Sequence, residues 1–200
     1  MDKQKAAADI IEKALPLVPF DGWSETTLES AAKAAGYLGT DAVRVFPGGG
    51  VEAAQWFLRA QDAQMLKEFH ALGGEAMNIR RRIAALVRIR LSGMAAHREA
   101  VRKAVALLAL PHHAPPALKG LYATVDAIWR AAGDASTDFN FYTKRLLLAG
   151  VYSSTLLVWL NDRSEGSKET WAFLDRRIEN VMSIEKAKQR VRGWVGRKRA

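Results

Sequence analysis

Apolar residues recur at steps of three and four along almost the whole chain, and no stretch alternates apolar and polar as a half-buried strand would. Ala7, Ile10, Ile11, Ala14, Leu15 and Val18 give one apolar face to a first helix that ends near Pro19. Ser24 caps a second helix running to Gly36, a residue suited to a left-handed stop. The short segment "GTDAVRVF" halts at "PGGG", which reads as a turn. Ala54, Phe57, Leu58, Met65, Phe69 and Leu72 mark a long fourth helix, closed by Gly73 and Gly74. Ile79, Ile83, Val87, Leu91 and Met94 give a fifth, and Val101, Val105 and Leu108 a sixth that breaks at "LPHHAPP". Leu121, Tyr122, Val125, Ile128, Trp129 and Ala132 fall in register on a seventh, the segment after Asp138 forms an eighth, and Ser167 opens a ninth with Trp171, Leu174, Ile178 and Val181. The tail continues as a tenth.

This pattern predicts an all-α bundle of nine to ten helices whose short loops bring sequence neighbours into contact. Residues 1–50 form a helix-turn-helix-like portion with 39–46 in the recognition position, 51–182 the main bundle, and 183–200 a basic amphipathic tail. At 200 residues and 49% hydrophobic content, the chain can fill a large core. The uncharged run from Leu146 to Leu160 falls short of the roughly 20 apolar residues of a membrane span. It therefore predicts a buried or lipid-contacting helix. "MDKQKAAADIIEKALPLVP" has early acidic residues and no small-residue cleavage site, so neither a signal nor a transit peptide is expected.

The chemistry of catalysis is missing from the pattern. With no cysteine, disulfides, thiolate zinc sites and cysteine nucleophiles are excluded. His70, His97, His112 and His113 lack zinc-protease spacing, and "PGGG" lacks the Lys and Ser/Thr of a phosphate-binding loop. Asp134 and Asp138 sit where carboxylates serve a helix start. No catalytic residue, metal site or cofactor is assigned, and the protein reads as a non-enzyme.

The net charge of +9 calls for an anionic partner, nucleic acid or phospholipid, and its distribution bears on which. Residues 20–50 hold Lys33 and Arg44 against Asp21, Glu25, Glu29 and Asp41, which would repel a phosphate backbone. The excess lies in 78–104, with seven arginines and Lys103 against Glu99, and in 183–200, with seven basic residues against Glu185. In the tail Ile184, Ala187, Val191, Trp194 and Val195 share one stripe, the composition of an interfacial helix. Arg190, Arg192, Trp194, Arg197, Lys198 and Arg199 are the expected membrane contacts, with 78–104 as the next candidate.

"ALPLVPFDGWSETTLESAAKAAG", "FPGG", "LPHHAPPAL", "AGDASTDFNFYTKRLLLAGVYSSTLLVWLNDRS" and "TWAFLDRRIENVM" together resemble the ubiquinone-biosynthesis accessory protein Coq-nine family, from about residue 6 to 182. The N-terminal third alone is similar to TetR regulators, whose fold that family shares. The resemblance implies a TetR-like homodimer joined through its last helices, without catalysis of its own. It implies an isoprenoid lipid or quinone held in an apolar interior and presented to the demethoxyubiquinone hydroxylase. It also implies a docking patch for that hydroxylase at Phe141, Tyr142 and Arg145, with Asp138 and Asn140 beside them. Leu121, Val125, Ile128 and Trp129 opposite Leu147, Val151, Leu156 and Val158 are expected to line a long apolar cavity for the lipid.

Phe141 stands where the family's best-known members carry Trp, which keeps a ring and loses an N–H donor. The tail is shorter than in those members, so weaker membrane affinity is expected. The expected location is the cytoplasm, peripheral to the inner membrane of a bacterium, or the matrix side of that membrane in a mitochondrion. A TetR-type regulator with a hydrophobic effector is the competing reading.

Overall fold

The computed structural model describes residues 2–134 and 139–181, the second segment with side chains from residue 141. These residues form ten α-helices joined by short 3-10 turns, and no strand occurs among them. The all-α bundle is as expected.

The head begins with α1 (Lys3–Ala14), and the chain turns at 15–17 before a separate short α2 (Val18–Asp21). The expectation of one helix continuing to Pro19 is corrected: proline sits in the first turn of α2, where its missing N–H is no loss. The apolar steps continue across the break because Val18 re-enters the same core, which conceals the break from periodicity. In α3 (Glu25–Ala34) the Ser24 hydroxyl accepts from Thr27 N at 3.1 Å, and Gly36 takes φ +84° at the stop. The recognition-position helix α4 (Asp41–Val45) is five residues long.

"PGGG" is more than a turn, because its last two glycines are the first turn of α5 (Gly49–Ala71). A Cβ on Gly50 would lie 1.8 Å from the carbonyl oxygen of Trp23, so only glycine lets α5 approach the head this closely. Trp23 also donates from Nε1 to the carbonyl of Ala100 at 3.0 Å. At 23 residues and about 1.5 Å of rise each, α5 is about 35 Å long. It packs on α1 and α3 in the head and on the helices that follow it.

Those are α6 (Ile79–Gly93), α7 (Arg98–Leu108) and α8 (Ala114–Ala131), and beyond them lie α9 (Phe139–Asn161) and α10 (168–181). Leu174 and Ile178 bury α10 in the common core. Burial pushes the Asp162 carboxyl up, but hydrogen bonds from the hydroxyls and backbone N–H groups of Ser164 and Thr170 outweigh it and hold the group far below the carboxylate range. That carboxylate fixes the α9–α10 corner.

Candidate functional site: the corner between α8 and α9

At the end of α8 the chain reverses through Gly133 at φ +88°, with Asp134 N bonded back to Trp129 O at 3.0 Å and Gly133 N to Arg130 O at 2.9 Å. Across the corner, Trp129 Nε1 donates to the carbonyl of Lys144 at 3.0 Å. Arg145 enters between the two helices. Its Nε donates to Asp126 at 2.7 Å, and its Nη1 to Asp134 at 3.4 Å and to the carbonyl of Phe141 at 3.2 Å. The Phe141 ring stacks on the guanidinium, 3.3 Å from its carbon, and Tyr142 meets Phe141 edge-on at 5.1 Å. Lys144 adds a 2.7 Å ion pair to Asp134.

Burial in this corner runs opposite to residue type. The side chains of Arg145 and Asp134 are 3% and 4% exposed, whereas Tyr142 is 67%, Leu146 75% and Leu157 53% exposed. Steps of four and eleven put those three on the outer face of α9, and Gly150 is exposed between them. On the neighbouring α8, Leu118 and Tyr122 are exposed as well.

Of the docking residues expected from sequence, Tyr142 lies on the surface and Phe141 is half-buried. Arg145 is corrected: it is interior, because two carboxylates and a ring enclose it, and it cannot itself present charge to a partner. Asp138 and the side chain of Asn140 lie outside the described residues. Val125, Ile128, Trp129 and Val151 are buried in the common core, and Leu121, Leu147, Leu156 and Val158 are half-buried. Two concavities lie away from this corner: a hollow of about 370 Å³ on α10 lined by Phe173, Arg176, Arg177, Glu179 and Asn180, and a slight one in the head. Arg190, Arg192, Trp194, Arg197, Lys198 and Arg199 lie outside the described residues.

The basic stretch 78–104 is largely engaged within the fold. Arg80 and Arg88 pair with Glu179 and Asp175 of α10, Arg98 donates to Asp162 O at 2.6 Å, and Arg102 caps the end of α9 at Leu160 O. Arg90 is buried in a knot with Asp62 (2.6 Å), Thr124 and Tyr152, drawn from four helices. Burial pushes the Tyr152 hydroxyl above its usual value, so it stays neutral beside that ion pair. Sequence reasoning missed this knot, although Arg90 stands on the same stripe as Leu86, Val87 and Leu91. Among the described residues, no three His, Cys, Asp or Glu groups converge as a metal site, and no helix is long and apolar enough to cross a membrane.

An all-helical bundle headed by a helix-turn-helix defines a TetR-like fold. A TetR transcriptional regulator from Nitrosomonas europaea superposes with a TM-score of 0.71 at 23% identity, covering 86% of this chain and 95% of that one. Another from Rhodococcus gives 0.62 at 16% identity, over 92% and 98%. Residues 114–185 match the COQ9 family model, and the resemblance read from sequence is borne out. The chain is 35% identical over 182 residues to the mitochondrial ubiquinone biosynthesis protein COQ9 of Rattus norvegicus, covering 88% of this chain and 58% of that protein. It is 33% identical to the COQ9 of Drosophila melanogaster, over 89% and 56%. The chain thus spans somewhat over half the length of these curated relatives.

Proposed function

We propose that this protein is a non-catalytic accessory of ubiquinone biosynthesis, the process for which its relatives are named. It binds an isoprenoid quinone intermediate, works as a homodimer at a membrane surface and presents the lipid to the demethoxyubiquinone hydroxylase. The observation that carries this reading is the outer face of α9, where Tyr142, Leu146 and Leu157 are exposed on a helix without charge from Leu146 to Leu160. Exposed apolar stripes of this kind mark contact with protein or lipid. Tyr142 supplies the aromatic anchor typical of interface centres. The lipid enters between α8 and α9, where the half-buried Leu121, Leu147, Leu156 and Val158 form the rim and seam opening exposes the core residues behind them. A second copy covers exposed faces of the last helices.

Membrane contact rests on the tail, since most guanidiniums of 78–104 hold helix ends or carboxylates. The site of action is the inner-membrane surface, on the matrix side in mitochondria, in keeping with the mitochondrial relatives. The structural neighbours are titled transcriptional regulators, so DNA binding is the competing reading. Against it stand the exposed Asp21, Glu25 and Glu29 and an α4 whose Arg44 is paired with Asp41 at 3.4 Å.

Mass spectrometry of lipid extracted from the purified protein tests the proposal. A prenylated phenol or quinone at near-stoichiometric amount is expected. Lipid-free protein that binds one duplex tightly and salt-sensitively in a gel-shift titration would establish the regulator instead.

A further inference from the structure

The exit of α8 is held by a side chain that the docking reading leaves unused. Arg82, in the first turn of α6, donates from Nε to Met77 O at 2.7 Å, from Nη1 to Ala132 O at 3.1 Å and from Nη2 to Glu75 O. All three acceptors are backbone carbonyls. Ala132 is the C-cap of α8, so the guanidinium satisfies a carbonyl that the helix cannot bond itself and joins it to the turn that precedes α6. Only a planar fork makes these bonds together, since an ammonium is a point donor on a flexible stem. A Cβ on the adjacent Gly133 would lie 2.8 Å from Nη1, so the backbone and the guanidinium are closely fitted. On the other side, the buried Asp134 carboxylate receives Lys144 and Arg145 of α9. Residues 132–134 are therefore pinned between α6 and α9.

We infer that Arg82 is a positioning residue for the docking surface, acting through Ala132, Asp134 and Arg145 on the first turns of α9 and so on Tyr142. The inference rests on the docking reading above. Arg82 donates to three carbonyls of its own chain and acts without touching the partner. Its influence must therefore vanish when Tyr142 is removed, which distinguishes positioning from a contact or from general stabilisation.

The experiment is a double-mutant cycle by calorimetric titration of the full chain into the hydroxylase, using wild type, Arg82→Lys, Tyr142→Ala and the double variant. Arg82→Lys should weaken binding roughly tenfold, and less than about twofold once Tyr142 is alanine. Amide exchange should accelerate at 132–134 and 141–145 in Arg82→Lys, with the head unchanged. Gly133→Ala, which strains the turn at its positive φ and crowds Nη1, perturbs residues 132–134 from the backbone side; it should show the same coupling and serves if Arg82→Lys folds poorly. Additive losses, or Arg82→Lys and Gly133→Ala at wild-type affinity while Tyr142→Ala is weakened, would overturn the inference. Wild-type affinity in Tyr142→Ala would instead sink the docking reading on which it rests.

Discussion

The head and the α8–α9 corner solve the same problem, turning a chain between two packed helices, with opposite distributions of residue type. In the head the turn is closed by glycine and a hydroxyl cap, apolar side chains such as Leu28 and Val45 are buried, and Glu25 and Glu29 face water. In the corner the arginine and the carboxylates are inside, and Tyr142, Leu146 and Leu157 are outside. Burying an ion pair brings little net stability compared with an apolar core, so such an arrangement points to a requirement other than folding. The head is what this fold needs to hold together. The corner is where the proposed function places the partner.

The comparison can be broken most forcefully at Arg145. Arg145→Ala removes the buried guanidinium that bridges Asp126 and Asp134, leaving them only Arg130 and Lys144, and should destabilise the protein by about 3 kcal/mol, read by denaturant unfolding. A loss below about 1 kcal/mol would mean that the corner is hydrated and its inversion only apparent. In the head, Gly50→Ala forces a methyl onto the Trp23 carbonyl and should cost about 2–3 kcal/mol. In contrast to corner variants, the folded fraction should keep full affinity for the hydroxylase. A parallel loss of affinity would show that head and corner are one functional unit.

A smaller effect is expected from pH at the α9–α10 corner. The folded Asp162 carboxyl titrates below its unfolded value, so its contribution is complete above the unfolded value of about 3.9 and declines as pH falls below it. Asp162→Asn should lower the melting temperature at neutral pH and flatten its fall between about pH 4 and 2 relative to wild type. Identical acid profiles for the two proteins would remove Asp162 from the account.

The elements were legible because each helix repeats its own apolar period, and stops such as Gly36 and Gly73 carry a local signal. Arg145 was misplaced because its carboxylates lie 19 and 11 residues away, across a helix reversal that no local pattern encodes. A readable trace does exist. Arg145 precedes Leu148 and Tyr152 on the buried stripe of α9, as Arg90 follows Leu86 and Val87 on α6. An arginine at an apolar register position is the sign of a buried knot. The run from Leu146 to Leu160 reads as buried or lipid-contacting because composition gives no direction, and only packing shows that Leu146 and Leu157 face out. "PGGG" hid its role because the close approach of Trp23 is tertiary.

The most direct test of the central claim is a paired measurement on Tyr142→Ala of hydroxylase affinity and thermal unfolding. Truncating an exposed interface aromatic should weaken binding by about 2 kcal/mol or more, roughly thirtyfold, while the melting temperature stays close to wild type. Unchanged affinity, or a fall in stability that accompanies the loss of binding, would contradict the assignment of this face of α9 to a partner.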